Sequence, residues 1–316
     1  MEQTSTAVVF ESPGELSLRD VTLPPCGPED CVVAVEWTGI STGTERLLWD
    51  GRMPHFPGLD YPLVPGYETV GRVVACGDQA FVKPGSRVFV PGSRGFTDVH
   101  GIFGGAAQQL VVSAKRVVPV PATLGEEAVL LALAATAVHA LNRLTTAPTS
   151  PLLVVGHGVL GRLLARVAVA RGLANINVWE TQAARRQPVQ GYQLIDPSED
   201  EAGRYGTIID ATGDVGLLDQ LIARLLPSGT LLLAGFYHQP IRFDFPPAFM
   251  RELSLLIAAE WHPTDMHEAL DLLADDALSL EGLITHRYAA RDAAQAYAQA
   301  FSDAECLKLI LDWRHA

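Results

Sequence analysis

The chain of 316 residues is poor in cysteine, short of positive charge, and without a long apolar run. Its four cysteines, Cys26, Cys31, Cys76 and Cys306, are scattered, and none forms a Cys-x-x-Cys pair. Zinc knuckles and disulfide frameworks need recognisable thiol spacing, so neither is indicated. Lysine and arginine number 23 against 36 aspartates and glutamates, a formal balance of −13. That sign argues against nucleic acid or an anionic membrane surface as the main partner. No apolar stretch approaches the length of a membrane span, so no integral membrane segment is expected. The opening Met1-Glu2-Gln3-Thr4 lacks the basic-then-apolar pattern of a signal peptide. Repeats and low-complexity segments are missing too. These absences leave a cytoplasmic protein as the expectation, and the length suggests two domains. At 48% hydrophobic and 19% charged, the chain can bury a sizeable core.

What is there divides near residue 120. Before it, Thr6–Glu11, Cys31–Thr38, Thr69–Ala75, Arg87–Val90 and Gln109–Val112 read as short strands. Pro24-Pro25, Pro57-Gly58, Pro65-Gly66, Pro84-Gly85 and Pro91-Gly92 punctuate them. A small, bent antiparallel barrel fits that spacing. After it, Glu126 to Leu144 is rich in Ala and Leu and predicts a long helix. Strand and helix patterns then alternate: Ile208–Asp210, Val215–Leu226, Thr230–Ala234, Leu253–Ala258 and Met266–Ala274. Alternation of this kind implies an α/β fold, a parallel sheet with helices on both faces. The end returns to mixed character and finishes in the strand-like Cys306–Trp313.

The strongest local pattern is Leu152-Leu153-Val154-Val155-Gly156-His157-Gly158-Val159-Leu160-Gly161. A buried strand runs into a glycine turn and a helix. Gly156 makes the tight turn, Gly158 lets backbone approach a pyrophosphate, and Gly161 lets helix and sheet pack closely. His157, Val159 and Leu160 complete the turn, and free N–H groups at the helix start favour an anion. Leu163, Leu164, Val167 and Ala168 continue at helical spacing, and Gly172 is a plausible stop. The next strand, Ile176–Trp179, ends at Glu180. An acid there accepts hydrogen bonds from a ribose 2′-OH and repels a 2′-phosphate, which favours NAD over NADP. Arg185 and Arg186 follow closely and weaken that preference, unless they are solvated surface charges. Ligands of such sheets lie at the carboxyl ends of the strands. That adds Ala211, Thr212, Gly213, Gly235 and Phe236 to the expected cofactor contacts.

A strand-rich first part, a nucleotide fold and a short tail resemble the medium-chain dehydrogenase/reductase superfamily. Gly39-Ile40-Ser41-Thr42-Gly43-Thr44-Glu45 is similar to that family's Gly-Ile-Cys-Gly-Thr-Asp segment, with one extra residue. Pro65-Gly66-Tyr67-Glu68 is similar to Pro-Gly-His-Glu. Thr136-Ala137-Val138-His139-Ala140-Leu141 is similar to the threonine-bearing helix that faces the cofactor. The resemblance implies a GroES-like β-barrel catalytic domain over 1–122, rejoined by 280–316. It implies a Rossmann doubly wound domain over 123–279, with Thr136 beneath the nicotinamide, and a possible homo-oligomer. In zinc members, two ligands and a third Cys stand where this chain has Ser41 or Thr42, Tyr67 and Ala132. None of these supplies the thiolate, imidazole or carboxylate that zinc takes. The four-cysteine structural lobe is missing too, so no metal is expected. Longer runs, Ser41 to Trp49 and Tyr61 to Glu68, resemble a subgroup acting on tetrapyrroles. Its members oxidise the 3-(1-hydroxyethyl) group of a (bacterio)chlorophyllide to 3-acetyl with NAD, in bacteriochlorophyll biosynthesis.

Without a metal, side chains must manage the alcohol proton. The candidates are Ser41, Thr42, Thr44 and Tyr67, with Glu68 behind them. Thr44 matches the family's proton-relaying threonine when the segments are aligned from Gly43. Tyr67 replaces a metal-binding His; it either relays a proton or fills the vacated space. Ser41 also reads as a turn hydroxyl, and Glu68 as an orienting group. Among the histidines, His157 is expected near the pyrophosphate in a positioning role, and His139 as a core residue. His55, His100, His238 and His262 are loop residues that nothing in the sequence selects as a base. The alternatives are a zinc-free quinone or enoyl reductase using NADPH, and a non-catalytic nucleotide-binding protein.

Overall fold

The computed structural model describes residues 3–93, 95–144, 151–187, 189–201 and 203–315. Met1 and Glu2 of the opening segment, and Ala316 of the tail, lie outside them. In chain order the first strands are β1 (Thr4–Ser12), β2 (Glu15–Thr22) and β3 (Asp30–Ile40), followed by helix α1 (Thr44–Trp49). Next come β4 (Thr69–Cys76), β5 (Arg87–Val90), β6 (Gln109–Ser113), β7 (Val118–Pro119) and α2 (Leu131–Asn142). The nucleotide-type segment holds β8 (Leu152–Val155), α3 (Val159–Ala170), β9 (Ile176–Trp179), β10 (Gln193–Ile195) and β11 (Tyr205–Asp210). It continues with α4 (Leu218–Ala223), β12 (Leu225–Leu233), α5 (Phe245–Met250), β13 (Ser254–Ile257) and α6 (Pro263–Ala274). The chain closes with β14 (Ile284–Ala289), α7 (Ala293–Ser302) and β15 (Lys308–Asp312).

Two compact units result, one of Met1–Leu131 with Glu281–Ala316, the other of Ala132–Leu280. The first unit carries a seven-stranded sheet in the order β14-β15-β3-β4-β5-β7, with β6 also on β3, and a separate β1-β2 hairpin. Valines and other branched residues fill its inner positions, which suits pleated, half-buried strands. Phe10 meets Trp49 and Tyr297 edge to face, with ring centroids 5.5 and 5.3 Å apart. The last strand is decisive for the site. β15 runs antiparallel to β3, with Leu309 opposite Ile40, so residues from opposite ends of the chain become neighbours.

The second unit is a six-stranded sheet in the order β10-β9-β8-β11-β12-β13, and every pairing in it is parallel. The order reverses direction between β8 and β11, which is where ligands of doubly wound sheets bind. β8 and β9 are buried along their whole length, as expected of strands covered on both faces.

Some sequence readings change. The helix expected over Glu126–Leu144 opens as a 3-10 turn, Glu126–Leu130, before α2 begins. The helix expected over Val215–Leu226 stops at Ala223, because Leu225 pairs with Tyr205 and Pro227 follows. A residue before proline disfavours helical backbone, so the strand takes over early. Strands β2, β10 and β14 and helices α1, α5 and α7 had no clear pattern of their own.

Candidate active site

In the first unit, β3 ends at Ile40 and delivers Ser41 and α1; the entry to β4 delivers Tyr67 and Glu68. That entry is pinned by backbone bonds: Gly39 N–H to Glu68 C=O at 2.8 Å, Gly105 N–H to Gly66 C=O at 2.8 Å, and Ala106 N–H to Pro65 C=O at 2.9 Å. Gly66 is in the left-handed region, φ +98°, and a side chain there would lie 2.8 Å from Ala106 N. Glycine is therefore required to turn Tyr67 the way it points.

The Tyr67 hydroxyl donates to Ser41 Oγ at 2.7 Å. Thr44 hydrogen-bonds the same phenol, and Phe103 packs against its ring at 5.3 Å. Burial, then the neighbouring Glu68, push the Tyr67 pKa well above its usual value, while the Ser41 and Thr44 hydroxyls oppose this. Three hydroxyls expected from the sequence thus meet, with the phenol held neutral. Thr42 is partly exposed.

Glu68 faces elsewhere. It is fully buried, and both its oxygens accept from Lys308 Nζ, at 2.8 and 2.6 Å. Lys308, itself 2% exposed, also donates to Ile40 C=O at 3.2 Å. A second buried acid, Glu45 on α1, accepts the Ser41 N–H at 3.1 Å and the Tyr297 hydroxyl at 2.8 Å. Burial raises the Glu45 pKa from 4.5 to about 8; those two bonds and Lys308 oppose the rise, and Glu68 adds to it. Glu45 is therefore largely protonated at neutral pH. Glu45, Tyr297 and Lys308 were missed by sequence reasoning. One signal was available for Lys308: it interrupts the otherwise apolar run Leu307-Lys308-Leu309-Ile310-Leu311.

In the second unit, Gly156 leaves β8 at φ +92°, and its N–H bonds Trp179 C=O at 2.9 Å. A Cβ on Gly161 would sit 1.8 Å from Gly156 O, whereas one on Gly158 would meet nothing within 4 Å. Helix and turn are in contact at the first, and the second borders open space. Helix α3 starts there, with Val159 and Leu160 in its first turn, without a side-chain cap or an acid in that turn. Its unsatisfied N–H groups suit an anion, so the turn fits a dinucleotide pyrophosphate. Glu180, 7% exposed, accepts the N–H of His157 at 3.2 Å and that of Gln182 at 2.8 Å. Each carboxylate oxygen keeps a lone pair for a ribose hydroxyl. Arg186 is bound to Asp196 at 2.5 Å and to Glu180 C=O at 2.8 Å.

The expected contacts at the ends of β11 and β12 converge. A Cβ on Gly213 would lie 2.5 Å from Phe236 O, and one on Gly235 would lie 2.5 Å from Gly213 N, so these glycines let two loops touch. Ala211 N–H bonds Val155 C=O at 3.0 Å. Thr212 and Phe236 are exposed. Buried Asp210 beneath them accepts the Thr212 N–H and hydroxyl, at 2.8 and 2.7 Å, and the Tyr237 hydroxyl. Thr136 on α2 is half-buried and donates back to Ala132 C=O at 2.8 Å.

The imidazole of His157 is fully buried, with both nitrogens engaged inside the protein, so only its backbone borders the turn. His139 is buried against Asp265, Nδ1 to Oδ2 2.8 Å, and against the ring of His262. His55 and His100 are exposed, and His238 is half-buried. Among the described residues, no group of three or more His, Cys, Asp or Glu is arranged to hold a metal ion. No helix among them is long and apolar enough to cross a membrane.

The alcohol dehydrogenase GroES-like domain family matches residues 27–122. The chain is 51% identical, over 98% of both chains, to 2-desacetyl-2-hydroxyethyl bacteriochlorophyllide A dehydrogenase of Cereibacter sphaeroides. It is 50% identical, again over 98% of both, to the protein of the same name from Rhodobacter capsulatus. Among solved structures, acetophenone reductase of Geotrichum candidum in complex with NAD superposes with a TM-score of 0.84. That match is 19% identical, covers 100% of this chain and 99% of the other, and speaks to the fold.

Proposed function

Because the chain belongs to the medium-chain dehydrogenase/reductase superfamily, we propose that it oxidises a secondary alcohol with NAD and without zinc. The substrate in this reading is the hydroxyethyl side chain of a chlorophyllide-type tetrapyrrole, and the product is its acetyl counterpart, in bacteriochlorophyll biosynthesis. The observation that carries it is 51% identity along 98% of a relative named for that conversion. The donor chemistry supports the absence of zinc: Ser41, Tyr67 and Ala132 stand at the metal-ligand positions.

When bound at the Gly156–Gly161 turn, NAD supplies the hydride acceptor. The chain's own residues must then manage the proton of the alcohol. Tyr67 is a neutral phenol already donating to Ser41, so the pair can relay: the phenol oxygen takes the alcohol proton as its own passes to Ser41 Oγ, and the Ser41 hydroxyl releases its proton to water. Thr44 holds the phenol in register. Glu68, paired with Lys308, anchors the segment that carries Tyr67. Loss of hydride leaves partial positive charge on a carbon conjugated to the macrocycle, which eases the step without a Lewis acid.

A homo-oligomer is part of the proposal. β13 is an edge strand, and Ile257, Phe249 and Met250 near it are 59%, 65% and 74% exposed. Open edges with apolar flanks recruit partners.

The test mixes protein, NAD and a hydroxyethyl chlorophyllide and follows the red shift of an acetyl product beside NADH. Full turnover after exhaustive chelation is expected, and zinc that tracks activity stoichiometrically would refute the metal-free reading. Tyr67→Phe is expected to lower kcat by about 10²–10⁴-fold. Unchanged turnover would remove Tyr67 from the proton path.

A further inference from the structure

The His157 side chain fastens residues after β9 to the glycine turn. His157 Nδ1 lies 2.9 Å from Arg185 C=O, and Nε2 lies 2.9 Å from the Tyr192 hydroxyl. A carbonyl only accepts, so Nδ1 carries the proton, Nε2 accepts, and Tyr192 donates. The two rings also meet edge to face, centroids 5.7 Å apart. Arg162, in the first turns of α3, adds a second tie, with Nε to His157 C=O at 3.1 Å and Nη2 to Arg185 C=O at 3.4 Å. Burial, and next the Arg162 charge, lower the His157 pKa to about 4, so the imidazole stays neutral across the physiological range.

Glu180 lies inside this clasp, accepting the His157 N–H at 3.2 Å. The charges around it have the opposite sign. Arg162 Nε lies 3.1 Å from His157 C=O, and Arg186 Nη1 lies 2.8 Å from Glu180 C=O. Beside the ribose-binding acid there are thus two guanidinium groups, those of Arg162 and Arg186, the chemistry that takes a 2′-phosphate. Which sign the adenosine end meets depends on how Arg185 and Tyr192 are held.

We propose that His157 is a specificity-determining positioning residue: by tying Arg185 and Tyr192 to the glycine turn, it keeps the Glu180 carboxylate toward the ribose. This rests on the reading that the turn binds a dinucleotide and prefers NAD. With the clasp cut, the backbone N–H of residue 157 remains, but the loops on either side of Glu180 are no longer tied together, so the carboxylate is held less firmly toward the ribose and the arginines attract the phosphorylated cofactor.

Equilibrium titration of the full chain with NAD and, separately, NADP tests this without any turnover. His157→Ala is expected to shift the ratio of the two dissociation constants toward NADP by about tenfold. Tyr192→Phe, which cuts the Nε2 arm and the hydroxyl's bond to Arg166 but leaves the Arg185 arm, is expected to shift it less. His157→Asn, whose amide can still donate to Arg185 C=O, is expected to recover part of the wild-type ratio. Equal weakening of both cofactors in His157→Ala, or an unchanged ratio, overturns the proposal by reducing His157 to turn stability. A wild-type protein that prefers NADP overturns the NAD reading instead, and the change in ratio between wild type and His157→Ala still judges the clasp.

Discussion

Replacing Lys308 by methionine tests the account of the buried pair. Both oxygens of Glu68 are held by Lys308 Nζ, at 2.6 and 2.8 Å, and neither residue reaches solvent. The carboxylate has no escape: a Cβ on Gly39 would lie 2.2 Å from Glu68 Oε2, so backbone closes that side. Methionine keeps the volume and removes the charge. Breaking a buried pair from one side costs about 3–5 kcal/mol, since it leaves a charge uncompensated. That is a large part of the ~5–15 kcal/mol that holds a domain folded. Glu68→Gln in the same chain removes the stranded charge, so the double variant is expected to be more stable than Lys308→Met alone. The assay is urea unfolding of wild type, both single variants and the double variant, with the cycle closed to give the coupling. Additive effects, with coupling below about 0.5 kcal/mol, would refute the claim that the two charges depend on each other.

Glu45→Gln probes the raised acid. The folded pKa of about 8 exceeds the reference 4.5, so between these values the folded state holds the proton more tightly than the unfolded state. Stability of the wild type therefore falls as pH rises through that window, to a ceiling of roughly 5 kcal/mol. The glutamine variant is expected to lose this slope in melting curves taken from pH 5 to 9; parallel slopes would contradict it. Gly161→Ala places a methyl against Gly156 O, where the free distance is 1.8 Å, and is expected to abolish NAD binding by calorimetry. Ile257→Lys at the β13 edge is expected to reduce the mass seen by light scattering, and an unchanged mass would move the interface elsewhere.

The amino-acid sequence by itself determined the elements whose chemistry is local. The run Leu152–Gly161 followed by Glu180 specifies a strand, a glycine turn, a helix and an acid through periodicity and backbone freedom, and all four stand where the text put them. Ser41, Thr44 and Tyr67 lie in short, contiguous motifs that could be picked out from residue type alone, and the fold brings their hydroxyls together. Tertiary structure decided what depends on distant pairing. Lys308 meets Glu68 across 240 residues only because β15 adds to β3, and Tyr297 meets Glu45 across 252 through α7. Helix limits near Leu225 moved because a strand partner outweighed local propensity. His157 reads as a cofactor neighbour in one dimension; in three, its ring turns inward, because Arg185 C=O and the Tyr192 hydroxyl offer it hydrogen bonds that no short-range pattern encodes. Burial supplies the same lesson for charge: Glu45 is an ordinary acid in the sequence, and only its enclosure by the fold raises its pKa to about 8.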